Sequence, residues 1–379
     1  MTADVTPFRI EIPDADIENL QHRLRETRWP EPETVDDWSQ GVPLTYIRDL
    51  CEYWAIDYDW RTCEEALNRL PSFHAKIDGL DFHFLHVRSP QAEATPLVMT
   101  HGWPGSIIEF LKVIGPLTDP VAHGGDAADA FHLVVPSLPG YGFSGKPARP
   151  GWSTARIGDA WDELMQRLGY ARYGAQGGDW GAQVTTGLGM NHADHLIGIH
   201  LNMPIVLPDP ATMSDLTERE QEAMTSLKHY TDWDSGYSKQ QSTRPQTVGY
   251  GLVDSPAGLC AWIVEKFWSW TDCDGDPANV LTRDEMLDNV MLYWLTAAGA
   301  SSARLYWESF ARPLLGPVEA PIACSIFPKE IFRGSRRWAE KQFPTLRYWN
   351  EPPKGGHFAA FEQPELFVDE IRAAFRAMR

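Results

Sequence analysis

Tyr173-Gly174-Ala175-Gln176-Gly177-Gly178-Asp179-Trp180-Gly181 is the stretch on which the fold turns. Tyr173 to Gln176 reads as a short strand running into glycines, and Ala182 to Met190 beyond it reads as a helix. Gly177 to Gly181 then has the form G-x-nucleophile-x-G, a tight strand-to-helix turn whose small residues let the central side chain project. The plain alternative for Asp179 is a helix N-cap. As a nucleophile it would differ from serine. A serine hydroxyl attacking a saturated carbon gives an ether, which is a dead end. A carboxylate gives an ester, whose carbonyl water can attack. Aspartate at this turn therefore points to an electrophilic sp3 carbon, as in epoxides and alkyl halides.

Outward from this turn, strands alternate with helices. Phe82 to Val87, Pro96 to Thr100, Phe131 to Pro136, Leu196 to Asn202, Pro321 to Phe327 and Leu346 to Trp349 read as strands. Trp152 to Leu168 and Leu366 to Met378 read as helices. The alternation predicts an α/β class protein, with a mostly parallel sheet and helices on both faces. Residues 204–312 break the rhythm. They are helical and aromatic, and they read as a lid inserted between core segments 93–203 and 313–379. Val290 to Ala300 (VMLYWLTAAGA) reads there as one buried helix. Residues 1–92 are polar and Trp-rich. Helices are expected at Ala15 to Thr27, where Ile17, Leu20 and Leu24 share a face, at Thr45 to Ala55 and at Thr62 to Leu70. This stretch reads as a wrapping segment.

Composition narrows the function. The 379 residues carry 33 Lys+Arg against 52 Asp+Glu, a net charge of -19, which disfavours a nucleic-acid partner. A 43% hydrophobic and 22% charged balance is that of a globular chain. Aromatics are the outlier, with 16 Trp, 16 Phe and 12 Tyr to be placed in a core, a pocket or an interface. No apolar run reaches the roughly 18 residues of a membrane span, and no signal peptide is evident. The five cysteines, odd in number and without Cys-x-x-Cys spacing, suggest a reduced, cytoplasmic setting.

Two further loops complete a candidate site. His101-Gly102-Trp103-Pro104-Gly105-Ser106 follows a strand, where a His-Gly loop can supply a backbone N–H to an oxyanion hole. Trp103 and Trp180 would be the two donors. Gly355-Gly356-His357-Phe358 precedes the last helices, and His357 can act as base towards water near neutral pH. Glu330, just past the strand at 322–327, is the best-placed acid to orient it, with Glu351 as the second choice. His192, His195 and His200 lack a clean metal-binding spacing, so no metal is expected.

Together these motifs resemble the α/β-hydrolase epoxide hydrolases, in the branch shared by microsomal, juvenile-hormone and soluble fungal and bacterial enzymes. Pro7-Phe8-Arg9-Ile10 with Leu24 to Pro30 is similar to that branch's N-terminal segment. His101 to Ser106, Gly140 to Ser144, Gly177 to Gly181 and Gly355 to Glu362 are similar to its core motifs. The resemblance implies that Asp179 is nucleophile, His357 base and Glu330 orienting acid. It also implies two lid phenols, Tyr237 and Tyr306, on the epoxide oxygen. It implies a vicinal diol product with no cofactor, and roles in detoxification or in natural-product pathways such as those of enediyne antibiotics. Aromatics of the lid (Trp262, Phe267, Trp268, Trp270 and Trp294) suggest a bulky or aryl epoxide, with Trp262, Phe267 and Trp294 as candidate pocket residues. A homodimer is compatible with the Trp-rich surface. The rival readings are a haloalkane dehalogenase and a silent binding protein on the same fold.

Overall fold

The computed structural model describes residues 5–379. Nine strands form one sheet: β1 (Val5–Pro7), β2 (Ser72–Ile77), β3 (Leu80–Val87), β4 (Thr95–Thr100), β5 (Phe131–Pro136), β6 (Tyr173–Gly177), β7 (Leu196–Leu201), β8 (Ile322–Ser325) and β9 (Leu346–Asn350). Their order is β1-β2-β3-β5-β4-β6-β7-β8-β9. From β5 onward every neighbouring pair is parallel, while β1, β2 and β3 are antiparallel to their neighbours.

Leu97, Val98, Leu133, Val134, Ala175, Ile199 and Ile322 are all buried, as expected where both faces of a parallel sheet are covered. Helix Thr154–Arg167 packs on Asp179–Asn191, and Leu111–Thr118 packs on Pro364–Met378. Among the described residues no helix is long and apolar enough to cross a membrane. All five cysteines are buried thiols.

Two local expectations need correction. The first 92 residues supply three strands to the sheet as well as helices, including β1 and β2, which the sequence reading lacks. Ser72-Phe-His-Ala-Lys-Ile has no clean apolar alternation, but Asp78-Gly79 after it is a hairpin signal. Both residues have positive φ, 51° and 79°, and fold β2 back on β3. The second correction is at Val290 to Ala300, which is not one helix. Helix Arg283–Leu295 ends, and Gly299–Ser309 begins. Ala297 is left-handed (φ 49°), its N–H donates to the Trp294 carbonyl, and Ala298 N–H donates to that of Tyr293. This is a Schellman closure with alanine where glycine is usual, so the sequence does not announce it. The break redirects the helix that carries Tyr306.

Candidate active site

The site lies where four strands end. β6 runs into Asp179, which sits at φ 49° as the first residue of its helix. A non-glycine residue there is strained and needs a close-packed turn to hold it. The packing is tight enough that a Cβ on Gly181 would lie 2.0 Å from the Thr100 carbonyl oxygen. β4 ends at Thr100, and the next loop brings Trp103 N–H to Asp179 Oδ1 at 2.7 Å. Trp180 N–H lies in the first helical turn, where backbone donors have no partner within the helix.

The loops after β8 and β9 meet at a bridge between Lys329 and Gly356. That contact sets Glu330 beside His357. His357 Nδ1 is 2.6 Å from Glu330 Oε1, and His357 Nε2 is 3.4 Å from Asp179 Oδ2. His357 N–H also donates to the Trp270 carbonyl, tying this loop to the end of the lid helix Pro256–Trp270. Burial works to lower the His357 pKa, but Glu330 and Asp179 more than reverse it and hold it well above the usual value. Glu351, the second candidate acid, lies elsewhere, paired with Arg219 and Trp349. His101 is buried and pushed down to about 4 by desolvation. It accepts from Leu138 N–H and braces the loop.

Helices Gly236–Thr243 and Gly299–Ser309 set Tyr237 and Tyr306 against the two indoles that flank the Asp179 turn. Tyr237 stacks on Trp103 with centroids 4.9 Å apart, and Tyr306 stands edge-on to Trp180 at 4.7 Å. The two phenol rings are 5.7 Å apart. Burial pushes both phenols well above the usual tyrosine pKa, so they stay protonated. The Tyr306 hydroxyl, Trp180 Nε1 and Glu330 Oε2 are buried without a partner. Buried polar atoms are seldom left so in a finished site, and a ligand or water would satisfy them.

The three candidate pocket rings lie elsewhere. Phe267 is buried against Phe358 and Phe361, Trp262 donates to Gln241, and Trp294 lies under Arg23 of the N-terminal segment. Helix Pro256–Trp270 turns Trp270, not Trp262 or Phe267, towards Tyr237 and His357. The rings packed against Tyr237 and Tyr306 are Trp103, Trp180 and Trp270, with the exposed Phe310 at the outer side of Tyr306.

Three groups at the site went unnoticed in the sequence. Tyr230 shares a 3.1 Å hydrogen bond with Tyr237, and their i,i+7 spacing was the available signal. Lys266 is buried, bonded to Asp234 at 2.9 Å and set 4.6 Å from the Tyr237 ring centroid. Glu109 lines the cavity behind Asp179. Away from the site, His195 is hydrogen-bonded to Asp162 and His192 to Asp159, with His192 Nδ1 also 3.4 Å from Asp162, while His200 bonds Ser325. Two larger grooves, of about 600 and 780 Å³, contain none of Asp179, His357 or Glu330.

A nine-stranded, mostly parallel sheet with a carboxylate at the strand-to-helix turn and a helical lid defines an α/β-hydrolase with an aspartate in the nucleophile position. Residues 5–110 match the family model described as epoxide hydrolase N terminus, and residues 95–227 match the alpha/beta hydrolase fold. A Stigmatella aurantiaca (strain DW4/3-1) protein with a provisional epoxide hydrolase name is 56% identical over 99% of this chain and 86% of its own. Epoxide hydrolase 1 of Sus scrofa is 37% identical over 97% of this chain and 88% of its own. The crystal structure of juvenile hormone epoxide hydrolase from the silkworm Bombyx mori superposes with a TM-score of 0.90 at 31% identity. It covers 99% of this chain and 95% of that one. The chain belongs to the epoxide hydrolases of the α/β-hydrolase fold, hydrolases that work without a cofactor.

Proposed function

We propose that this chain opens an apolar, aryl-bearing epoxide through a covalent ester on Asp179 and hydrolyses that ester to a vicinal diol. The observation that carries the reading is the line Asp179–His357–Glu330, with contacts of 3.4 and 2.6 Å, under two protonated lid phenols. Asp179 attacks a ring carbon from the side opposite the oxygen. The C–O bond breaks, and Tyr237 and Tyr306 hydrogen-bond the departing oxygen, one of them giving it a proton. A water then adds to the ester carbonyl while His357 Nε2 takes its proton. The oxyanion is held by the N–H groups of Trp103 and Trp180. Collapse releases the diol oxygen, which the imidazolium protonates. Asp179 leaves this step as a carboxylic acid, and its proton returns to the tyrosinate.

The aryl preference rests on a cluster of five mutually packed rings, Trp103, Trp180, Trp270, Tyr237 and Tyr306, two of which, Trp103 and Trp180, flank the nucleophile's turn. Such a wall favours flat apolar groups through stacking and area burial. Detoxification and a biosynthetic role such as enediyne assembly imply different behaviour, namely a broad substrate range against one steep optimum.

The test is diol formation from a panel of aryl and alkyl terminal epoxides, with wild type beside Asp179→Ala. Diol from the wild type alone, aryl epoxides leading, is expected. Diol from the variant at the wild-type rate would refute the nucleophile. Chloride release from a chloroalkane without diol from any epoxide would favour dehalogenation.

A further inference from the structure

Behind Asp179, on the side of helix Asp179–Asn191 where β4, β6 and β7 end, lies a small cavity. Its lining includes Thr100, Glu109, Gln176, Asp179, Asn202 and His357. Its volume is about 20 Å³, and about 10–15 Å³ of such space holds one water. Phe110, Phe358 and Phe367 supply apolar wall, and the polar part of the lining is unfinished. Thr100 Oγ1 and Gln176 Oε1 are buried without a partner. Gln176 Nε2 is fixed on Asn202 at 2.9 Å, which turns the unpartnered oxygen of the same amide to other use.

Glu109 is the unexplained member. Its carboxyl fills the space beside Gly105, where an added Cβ would stand 1.5 Å from Oε1, so it lies against the loop that carries Trp103. The Ser106 backbone N–H favours its anion. Burial outweighs this and the nearby His357, and with Asp179 pushes the carboxyl up to about 8. Glu109 and Asp179 line the same cavity, so their carboxyl groups are close neighbours. Glu109 is half-buried, and a carboxyl drawn out of water into a site costs stability unless the site compensates it.

We propose that Glu109 is a further catalytic residue, whose carboxyl oxygen accepts a hydrogen bond from the water that cleaves the Asp179 ester and holds it in this cavity. The inference rests on the ester mechanism given above. One hydrogen of the water points to Glu109 and the other to His357 Nε2, which leaves an oxygen lone pair for the ester carbon. His357 takes the second hydrogen as the C–O bond forms, and the first stays on the new Asp179 carboxyl. Glu109 neither gains nor loses a proton.

The test is a single-turnover experiment with styrene oxide on wild type, Glu109→Gln and Glu109→Ala, following the ester by intact-protein mass in quenched samples. Ester formation within about twofold of wild type is expected in both variants. Ester decay should slow at least about tenfold in Glu109→Ala, and less in the isosteric Glu109→Gln, which keeps an acceptor oxygen. In the steady state kcat and KM should fall together with kcat/KM unchanged, a split that general damage to the fold would not give. Wild-type ester decay in Glu109→Ala, or formation and decay slowed by the same factor, would overturn the role. Diol without any ester in the wild type would overturn the ester mechanism, and this inference with it.

Discussion

Trp103 donates its backbone N–H to Asp179 Oδ1 at 2.7 Å, joining residues 76 positions apart. In the proposed mechanism this donor is aimed where the ester carbonyl oxygen will be, so little reorganisation is needed as charge develops. The closeness is testable through Gly102. A Cβ there would stand 2.1 Å from the same oxygen, so Gly102→Ala must push the two groups apart. Diol formation is expected to drop by about 10² or more in kcat, with the circular dichroism spectrum preserved. An unchanged kcat would mean that this donor takes no part.

His357→Gln should leave ring opening intact and stop ester cleavage. Intact-protein mass after mixing with a turned-over epoxide is expected to rise by the mass of one epoxide and stay there. Binding without added mass would count against a covalent intermediate.

The two lid phenols should separate in stability as well as rate. Tyr306 has a buried hydroxyl with no protein partner, whereas that of Tyr237 is bonded to Tyr230. Each Tyr→Phe change is expected to slow ester formation by about 10². In thermal melts Tyr306→Phe should be neutral or slightly stabilising, and Tyr237→Phe should lose about 1 kcal/mol. Equal destabilisation by both would contradict the assigned hydrogen bonding.

The pH dependence of ester decay follows from the two carboxylates that hold the His357 pKa up. Esterification removes the charge of Asp179, which leaves Glu330 as the acidic partner of His357. Base catalysis needs neutral imidazole, so decay should fall as pH drops through the His357 pKa of the ester form. Glu330→Gln removes the second anion and lowers that pKa. Its acid limb should move to lower pH, with a smaller plateau rate. Single-turnover decay across pH checks both, and a limb left in place would reduce Glu330 to orienting the ring.

Helix Glu218–His229 is clasped to helix Arg336–Gln342 by the Glu220–Arg337 pair. The Arg337 hydrogen bonds, ahead of the opposing burial, hold Glu220 down to about 2. A depressed folded-state pKa stabilises above the unfolded value and ceases to do so as pH falls through the folded one. Melting temperature should therefore decline between about pH 4.5 and 2, in part through this group. Glu220→Gln should lower stability at pH 7 and flatten that decline. Parallel pH curves for variant and wild type would rule the clasp out as a contributor.

The sequence by itself determined what depends on neighbours along the chain. The strand-to-helix turn at Asp179, the glycine-flanked His357 and the alternation of buried strands with helices all leave local marks in spacing and residue size. Even the missed hairpin carried its mark, at Asp78-Gly79. Tertiary structure decided what depends on convergence. Glu330 rather than Glu351 reaches His357 because the loops after β8 and β9 pair at Lys329 and Gly356, a register that no local pattern states. Trp270 faces the site while Phe267 enters the core, a matter of how one aromatic helix rotates on its neighbours. Glu109 sits three residues after Ser106, a spacing that reads as ordinary helix capping. Only the convergence of three strand ends with the Trp103 loop turns that carboxyl into the wall of a one-water cavity. Local periodicity records which face of an element is apolar, but it cannot record which polar groups from distant segments are left facing one another.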